Sequence, residues 1–151
     1  MADVEIAPCD EACEAIVARI NTATTYTLPQ PAEYLPVVID QLEEVDGLRV
    51  DVVHEFEQDL QETLDIEDRT SHIIRIWIRD KLPDDSIAEV KTRNLIVRRI
   101  WQRVNNFNSA NGRVKVWDIG KNRGEIPGKL MLFESGFYKA YIELRVEVEP
   151  P

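Results

Sequence analysis

Histidine, cysteine and methionine are scarce in this sequence, two of each among 151 residues. Cys9 and Cys13 stand in a C-x3-C spacing that puts them one helical turn apart, and no further cysteine or nearby histidine completes a metal set. They read as plain buried or half-buried thiols, and no cofactor is expected. Long apolar runs are lacking as well. The longest cover a few residues, against roughly 20 needed to cross a bilayer, so a membrane is not an expected partner. The opening MADVEIAPCDEA carries acids where a secretion signal needs a basic stretch and then an apolar one, so the expected place of synthesis and assembly is the cytoplasm.

What is present is acid. The net charge is −10, which argues against the usual basic DNA-binding surface. Residues 1–70 hold 18 acids and 3 bases, a net of −15, whereas residues 71–151 hold 10 acids and 15 bases, a net of +5. Such a division suits a molecule whose faces differ in sign and which stacks on copies of itself or on different partners. With 44% hydrophobic and 30% charged residues the composition is globular. A chain of this length buries about 68–70% of its unfolded surface, enough for one core.

Periodicity places the elements. Asp10 is a natural N-cap, and Ala12, Ile16, Val17 and Ile20 form one stripe, so a short amphipathic helix is expected over 11–21. Pro29, Pro31 and Pro36 make 22–36 an extended arm, and a brief strand is expected at 37–39. Residues 48–56 alternate apolar and polar, as do 72–79, where Ile74, Ile76 and Ile78 face one side and Ile73, Arg75, Trp77 and Arg79 the other. The simplest topology pairs these two strands antiparallel around an acidic loop at about 57–71. Ser86 and Glu89 fit a capping box. The helix it opens runs to about 104, roughly 28 Å long, with Ile87, Val90, Val97, Trp101 and Val104 on one stripe and Asn94 in step. Leu95, Ile96 and Ile100 widen that stripe, as they would on a helix covered from two sides. A turn at 108–112 precedes a strand at 114–116, a basic glycine-rich loop at 120–129, and a hairpin of 130–134 with 137–148 across Ser135 and Gly136. The fold class is therefore α+β: a single domain whose antiparallel or mixed sheet is flanked by an N-terminal helix and one long helix.

No catalytic constellation stands out. His54 and His72 each sit in a strand pattern, away from a cysteine or a recognisable serine nucleophile, and the structural reading is preferred for both. The carboxylates lie in hydrated runs where nothing raises a pKa for acid catalysis. GKNRGEIPGK at 120–129 fails as a phosphate loop, because Gly128-Lys129 leads into a strand and not a helix. The residues left as candidates are those of an interface. On the long helix Arg98, Arg99 and Arg103 are suited to docking on an acidic neighbour. Lys121, Arg123 and Lys129 form a basic loop, and Glu57, Asp59, Glu62, Asp65, Glu67 and Asp68 an acidic one.

The order of elements resembles that of the tail terminator, or tail completion, proteins of long-tailed bacteriophages. It is carried by ACEAIVARIN at 12–21, LRVDVVHEF at 48–56, HIIRIWIRDKLPDDS at 72–86 after the acidic stretch, IAEVKTRNLIVRRIWQRV at 87–104 and FESGFYKAYIELRVEVE at 133–149. The resemblance covers most of the chain and is one of pattern. It implies a structural virion protein and not an enzyme: a homo-oligomeric ring, typically a hexamer, that sits on the tail tube, ends its polymerisation and meets the head connector or neck protein. The acidic loop would then face an interface or a lumen through which DNA slides without specific binding, and the arm at 22–36 would wrap an adjacent subunit. Two other readings stand beside it, another neck or head-completion ring protein and a small oligomeric ligand-binding module of bacterial origin.

Overall fold

The computed structural model describes residues 6–36, 47–59, 70–81, 87–117 and 137–149. Two helices and five strands follow one another as α1 (Pro8–Asn21), β1 (Glu33–Leu35), β2 (Arg49–Asp59), β3 (Thr70–Lys81), α2 (Ile87–Val104), β4 (Val114–Trp117) and β5 (Phe137–Val148). The strands form one mixed sheet in the order β1-β2-β3-β5-β4, with β1 parallel to β2 and every other pair antiparallel. The fold is α+β, as the alternating and helical periods predict. The strands expected at 37–39 and 130–134, the turn at 135–136 and the capping serine, Ser86, lie outside the described residues.

Pro8 opens α1, where its missing N–H leaves no gap in the helical ladder, and Asp10 and Glu11 in the first turn oppose the positive end of the helix dipole. The N-cap is Ala7, which offers no side-chain cap. The expectation that Asp10 caps the helix is corrected: Asp10 lies inside the first turn, and its Oδ1 accepts the Tyr34 hydroxyl at 2.7 Å. Ala12, Cys13, Ile16 and Ile20 are its buried face.

The segment 22–36 is tied to its own chain by side-chain hydrogen bonds. Tyr26 donates its hydroxyl to the Ile20 carbonyl at 2.8 Å. The Asn21 amide clamps Ala32 in both directions, donating to its carbonyl at 3.0 Å and accepting its N–H at 2.8 Å. A side-chain amide offers the donor and acceptor of a peptide group, so Asn21 acts as a one-residue strand. This delivers residues 33–35 to the edge of β2, and the arm is folded onto its own chain.

The antiparallel β2–β3 pair is longer than the alternation suggests. It reaches from Arg49↔Arg79 to Asp59↔Thr70, with a bulge between His54 and Phe56. Glu57 and Asp59 are therefore strand residues, and the excursion between the strands shortens to 60–69.

One face of the sheet carries the core. Val50, Val52, Ile74, Ile76, Ile78, Ala140, Ile142, Leu144, Val146, Val148, Val114 and Val116 pack with the buried faces of α1 and α2 in a single cluster. Each large aliphatic placed there contributes about 1.5–3 kcal/mol of burial. Val97, Ile100 and Val104 are the fully buried residues of α2, and Ile96 and Trp101 pack partly against the same cluster. Leu95 is 48% exposed, so α2 is covered on the sheet side, and Leu95 on its flank is not. Asn94 keeps step with the apolar stripe because its Oδ1 accepts the Tyr138 hydroxyl at 2.8 Å. One residue earlier, Arg93 meets the buried Asp80 carboxylate at 2.5 Å.

After α2 the chain turns at 108–112 through Gly112, whose φ of +73° suits a residue without Cβ. The Ser109 N–H donates to the Val114 carbonyl at 2.9 Å, the Val114 N–H to the Ser109 hydroxyl at 3.0 Å, and the Val116 N–H to the Phe107 carbonyl at 2.8 Å. The outer edge of β4 is thus lined by residues 107–109.

Candidate functional site

Alternation along the strands gives the sheet a second face, opposite the helices, and among the described residues no element packs on it. Registers across the strands arrange this outer face in rows. Arg49, Arg79 and Lys139 form one, Asp51, Trp77 and Tyr141 the next, then Val53, Arg75 and Glu143, and finally Phe56, Ile73, Arg145 and Trp117 spanning four strands. The bulge after His54 is what brings Phe56 to this side, since it shifts the pairing by one residue.

Cations and rings alternate across the face. Lys139 lies 4.7 Å over the Trp77 ring, Arg75 4.9 Å over Tyr141 and Lys115 4.5 Å over Trp117, while Trp77 and Tyr141 are 5.0 Å apart between centroids. Arg75 also reaches Glu143 at 3.2 Å and Glu55 at 4.0 Å. Contacts of this kind fix long side chains in place. Asp51 is 1% exposed and pairs with Arg79 at 2.5 Å, with Arg49 at 3.6 Å from its other oxygen. That second oxygen and the Arg79 Nε have no hydrogen-bond partner, so this pair lies in the sheet face with bonding capacity to spare. In the last row Phe56 is 55% and Trp117 41% exposed. Arg145 between them is exposed and has no ion-pair partner among the described residues.

On the helix side of the same strands lies a polar chain within the core. The Thr70 hydroxyl is 2.7 Å from His72 Nε2, and His72 Nδ1 is 2.9 Å from His54 Nε2. Burial and then the neighbouring His54 push the His72 pKa down to about 4, so His72 is neutral at pH 7. Two arrangements of protons satisfy it. Either Thr70 donates to His72 and His72 to His54, or each bond runs the other way. A hydroxyl on an imidazole is also the pairing of a nucleophile with a base, but Thr70 and His72 are buried, and the cleft of about 310 Å³ beside the end of α1 is lined by other residues, among them Tyr26, Leu28 and Pro31. The two histidines, taken separately in the sequence, are partners across β2 and β3, which neither strand pattern reveals alone. The available signal was that both occupy inward-facing positions of strands expected to pair.

Of the interface residues expected from sequence, the described ones are divided between β2 and α2. Glu57 is exposed on β2, close enough to Cys9 for its charge to help burial and Asp10 raise that thiol's pKa. Asp59 is the last residue of β2. Arg98 lies 4.9 Å over the Trp101 ring, and Arg99 donates to the Thr25 carbonyl at 2.9 Å. Arg103 is bound to α1 through the Arg19 carbonyl at 3.0 Å and the Thr22 hydroxyl at 3.1 Å, so it serves its own chain. Glu62, Asp65, Glu67, Asp68, Lys121, Arg123 and Lys129 lie outside the described residues. Sequence reasoning missed Phe56, Trp117 and Arg145. Their common row depends on registers and a bulge that no local pattern carries.

Cys9 is half-buried and Cys13 buried, both as free thiols, and burial with Cys9 alongside pushes the Cys13 pKa up to about 12. Among the described residues no group of three or more His, Cys, Asp or Glu could hold a metal, and no helix is long and apolar enough to cross a membrane. In comparisons with protein families and with curated proteins, the chain matches none.

Proposed function

We propose that this chain is a structural subunit of a phage tail: a tail terminator that closes into a ring, ends the growth of the tail tube and presents its other side to the head connector. The supporting observation is the outer sheet face, where two exposed aromatic side chains flank an arginine without an ion-pair partner among the described residues, on a sheet covered by helices on its other side. Arg with large aromatic residues is the composition of protein contacts, and it differs from that of the remaining charged surface. The order helix, strands, long helix, strands, which the chain shares with such terminators, supplies the identity of the assembly. Under this reading the protein works by shape and contact, without a cofactor, and it acts in the virion after assembly in the host cytoplasm. DNA passes it without being read.

A tail-tube protein that polymerises in vitro provides the test. Adding this chain should stop elongation and give short tubes with one extra ring of density at the end. Tubes of unchanged length, with the protein left free in solution, would reject the terminator role. Binding to a purified head connector without any effect on tubes would instead favour a neck protein.

A further inference from the structure

We infer that Asn111 is a modification site, where the Gly112 nitrogen closes on the side-chain amide and converts it to aspartate or isoaspartate, with the Ser109 hydroxyl and the Arg113 N–H stabilising the step. The inference is independent of the ring reading. Of the seven asparagines in the chain, Asn111 is the one followed by glycine. Both residues are exposed, Gly112 holds a φ of +73°, and a Cβ built on it would meet nothing within 4 Å, so the space about its nitrogen is open. The Asn111 Oδ1 accepts the Ser109 hydroxyl at 2.6 Å and the Arg113 N–H at 3.1 Å. These donors stand where negative charge grows when a nucleophile adds to Cγ, which is the arrangement of an oxyanion hole. Ser109 is itself held in place, because its Oγ accepts the Val114 N–H at 3.0 Å and so keeps its own hydrogen for Oδ1.

The Gly112 N–H gives its proton to hydroxide, the nitrogen bonds Cγ, and the electron pair of the carbonyl moves to Oδ1. The tetrahedral centre collapses with loss of Nδ2 as ammonia, which takes a proton from water, and a five-membered imide remains. Water then opens the imide at one of its two carbonyls. Opening at Cγ leaves aspartate in an intact main chain, and opening at the main-chain carbonyl leaves isoaspartate, with the chain running through Cγ. No oxidant or cofactor takes part. The Gly112 N–H donates to the Ser109 carbonyl at 2.9 Å, and this one exposed bond has to open first, while the two donors on Oδ1 do not depend on it. The products act on the turn in opposite ways. A carboxylate accepts the same two donors more strongly, so aspartate keeps the turn. Isoaspartate lengthens the main chain by a methylene inside a turn whose Ser109 N–H reaches Val114 and whose Val116 N–H reaches Phe107. It therefore loosens residues 107–109 from β4 and leaves the edge of that strand open to pairing.

The test is incubation of the full chain at mildly alkaline pH, folded and in urea, followed by peptide mapping with mass spectrometry. Wild type should gain the mass of one amide-to-acid conversion in the peptide holding Asn111, as two products separable by chromatography. The rate should rise with hydroxide, exceed that at every other asparagine, and be at least as high in the folded protein as in urea. Ser109→Ala, its folding checked by circular dichroism, should slow the folded protein about tenfold through loss of one donor to Oδ1, and Ser109→Thr should restore the rate. In urea the three chains should convert alike. Conversion in urea but not in the folded wild type would overturn the site, because the Gly112 hydrogen bond would then protect it. Equal rates in folded wild type and Ser109→Ala would overturn the part given to Ser109. Hydrogen exchange on the separated products should show protection at Ser109 and Val116 kept with aspartate and lost with isoaspartate, and protection kept in both would overturn the loosening of β4.

Discussion

Arg19 and Arg103 each donate through Nε to the other's main-chain carbonyl, at 2.9 and 3.0 Å, although both carry positive charge. Burial and then the adjacent Arg103 charge hold the Arg19 pKa below its usual range, and yet the guanidinium remains protonated at neutral pH. The pairing is favourable because each arginine stands in the last turn of its helix, where carbonyls lack helical partners and the dipole is negative. Each side chain caps the helix opposite. Replacing either arginine by alanine should cost about 1–2 kcal/mol in urea denaturation. A double-mutant cycle should show clear coupling, because removing one arginine spoils the geometry of both. Strict additivity would mean that the two bonds act independently.

His72 should make stability depend on pH. Its folded pKa is about 4 against an ordinary value of 6.5, so between those values the unfolded chain binds a proton that the folded chain refuses. Stability should fall as pH drops from about 6.5 towards 4 by something on the order of 2–3 kcal/mol from this group, and be unaffected by it above pH 7. Carboxylates titrate near the lower end of that window. The informative quantity is therefore the difference between wild type and His72→Gln in chemical denaturation at each pH. A constant difference from pH 7 to 4.5 would contradict the assignment.

The Asp80–Arg93 pair fastens α2 to the end of β3. Asp80 is 3% exposed, so Arg93→Leu would leave a carboxylate buried without its partner, a loss of roughly 3–5 kcal/mol. Asp80→Asn retains an acceptor and removes the charge, so it should cost less. Thermal melts of the two variants give the order directly, and a more damaging Asp80→Asn would reverse the explanation.

Thiol labelling separates the cysteines. A half-buried Cys9 with a raised pKa should react slowly with a disulfide reagent at pH 8, and Cys13, buried with a pKa near 12, should react only when the protein unfolds. Mass spectrometry should then find one label on the native protein and two after denaturation. Two labels at equal rates on the native chain would show that α1 opens readily.

Much of the fold is legible in local pattern. Ile74, Ile76 and Ile78 alternate with Arg75, Trp77 and Arg79 and are indeed split between the covered and outer faces, and the helix expected from Ile87 to Val104 has those bounds. What local pattern does not carry is pairing between distant segments. The parallel β1 depends on the Asn21 clamp at Ala32, and the His54–His72 contact on a register between strands. Phe56 reaches the outer face only through the bulge at Glu55. Each is a long-range event whose signal lies in two places of the chain at once. Asp10 is not the cap because the helix already begins at Pro8, and its carboxylate instead accepts the hydroxyl of Tyr34, 24 residues away.

The central claim is that this chain closes into a ring, and native mass spectrometry of the purified protein at rising concentration, with negative-stain images of the same samples, tests it most directly. A single closed stoichiometry of about six with a central hole is the expected result for cyclic head-to-tail contacts. A compact dimer at all concentrations, with no larger species, would contradict it.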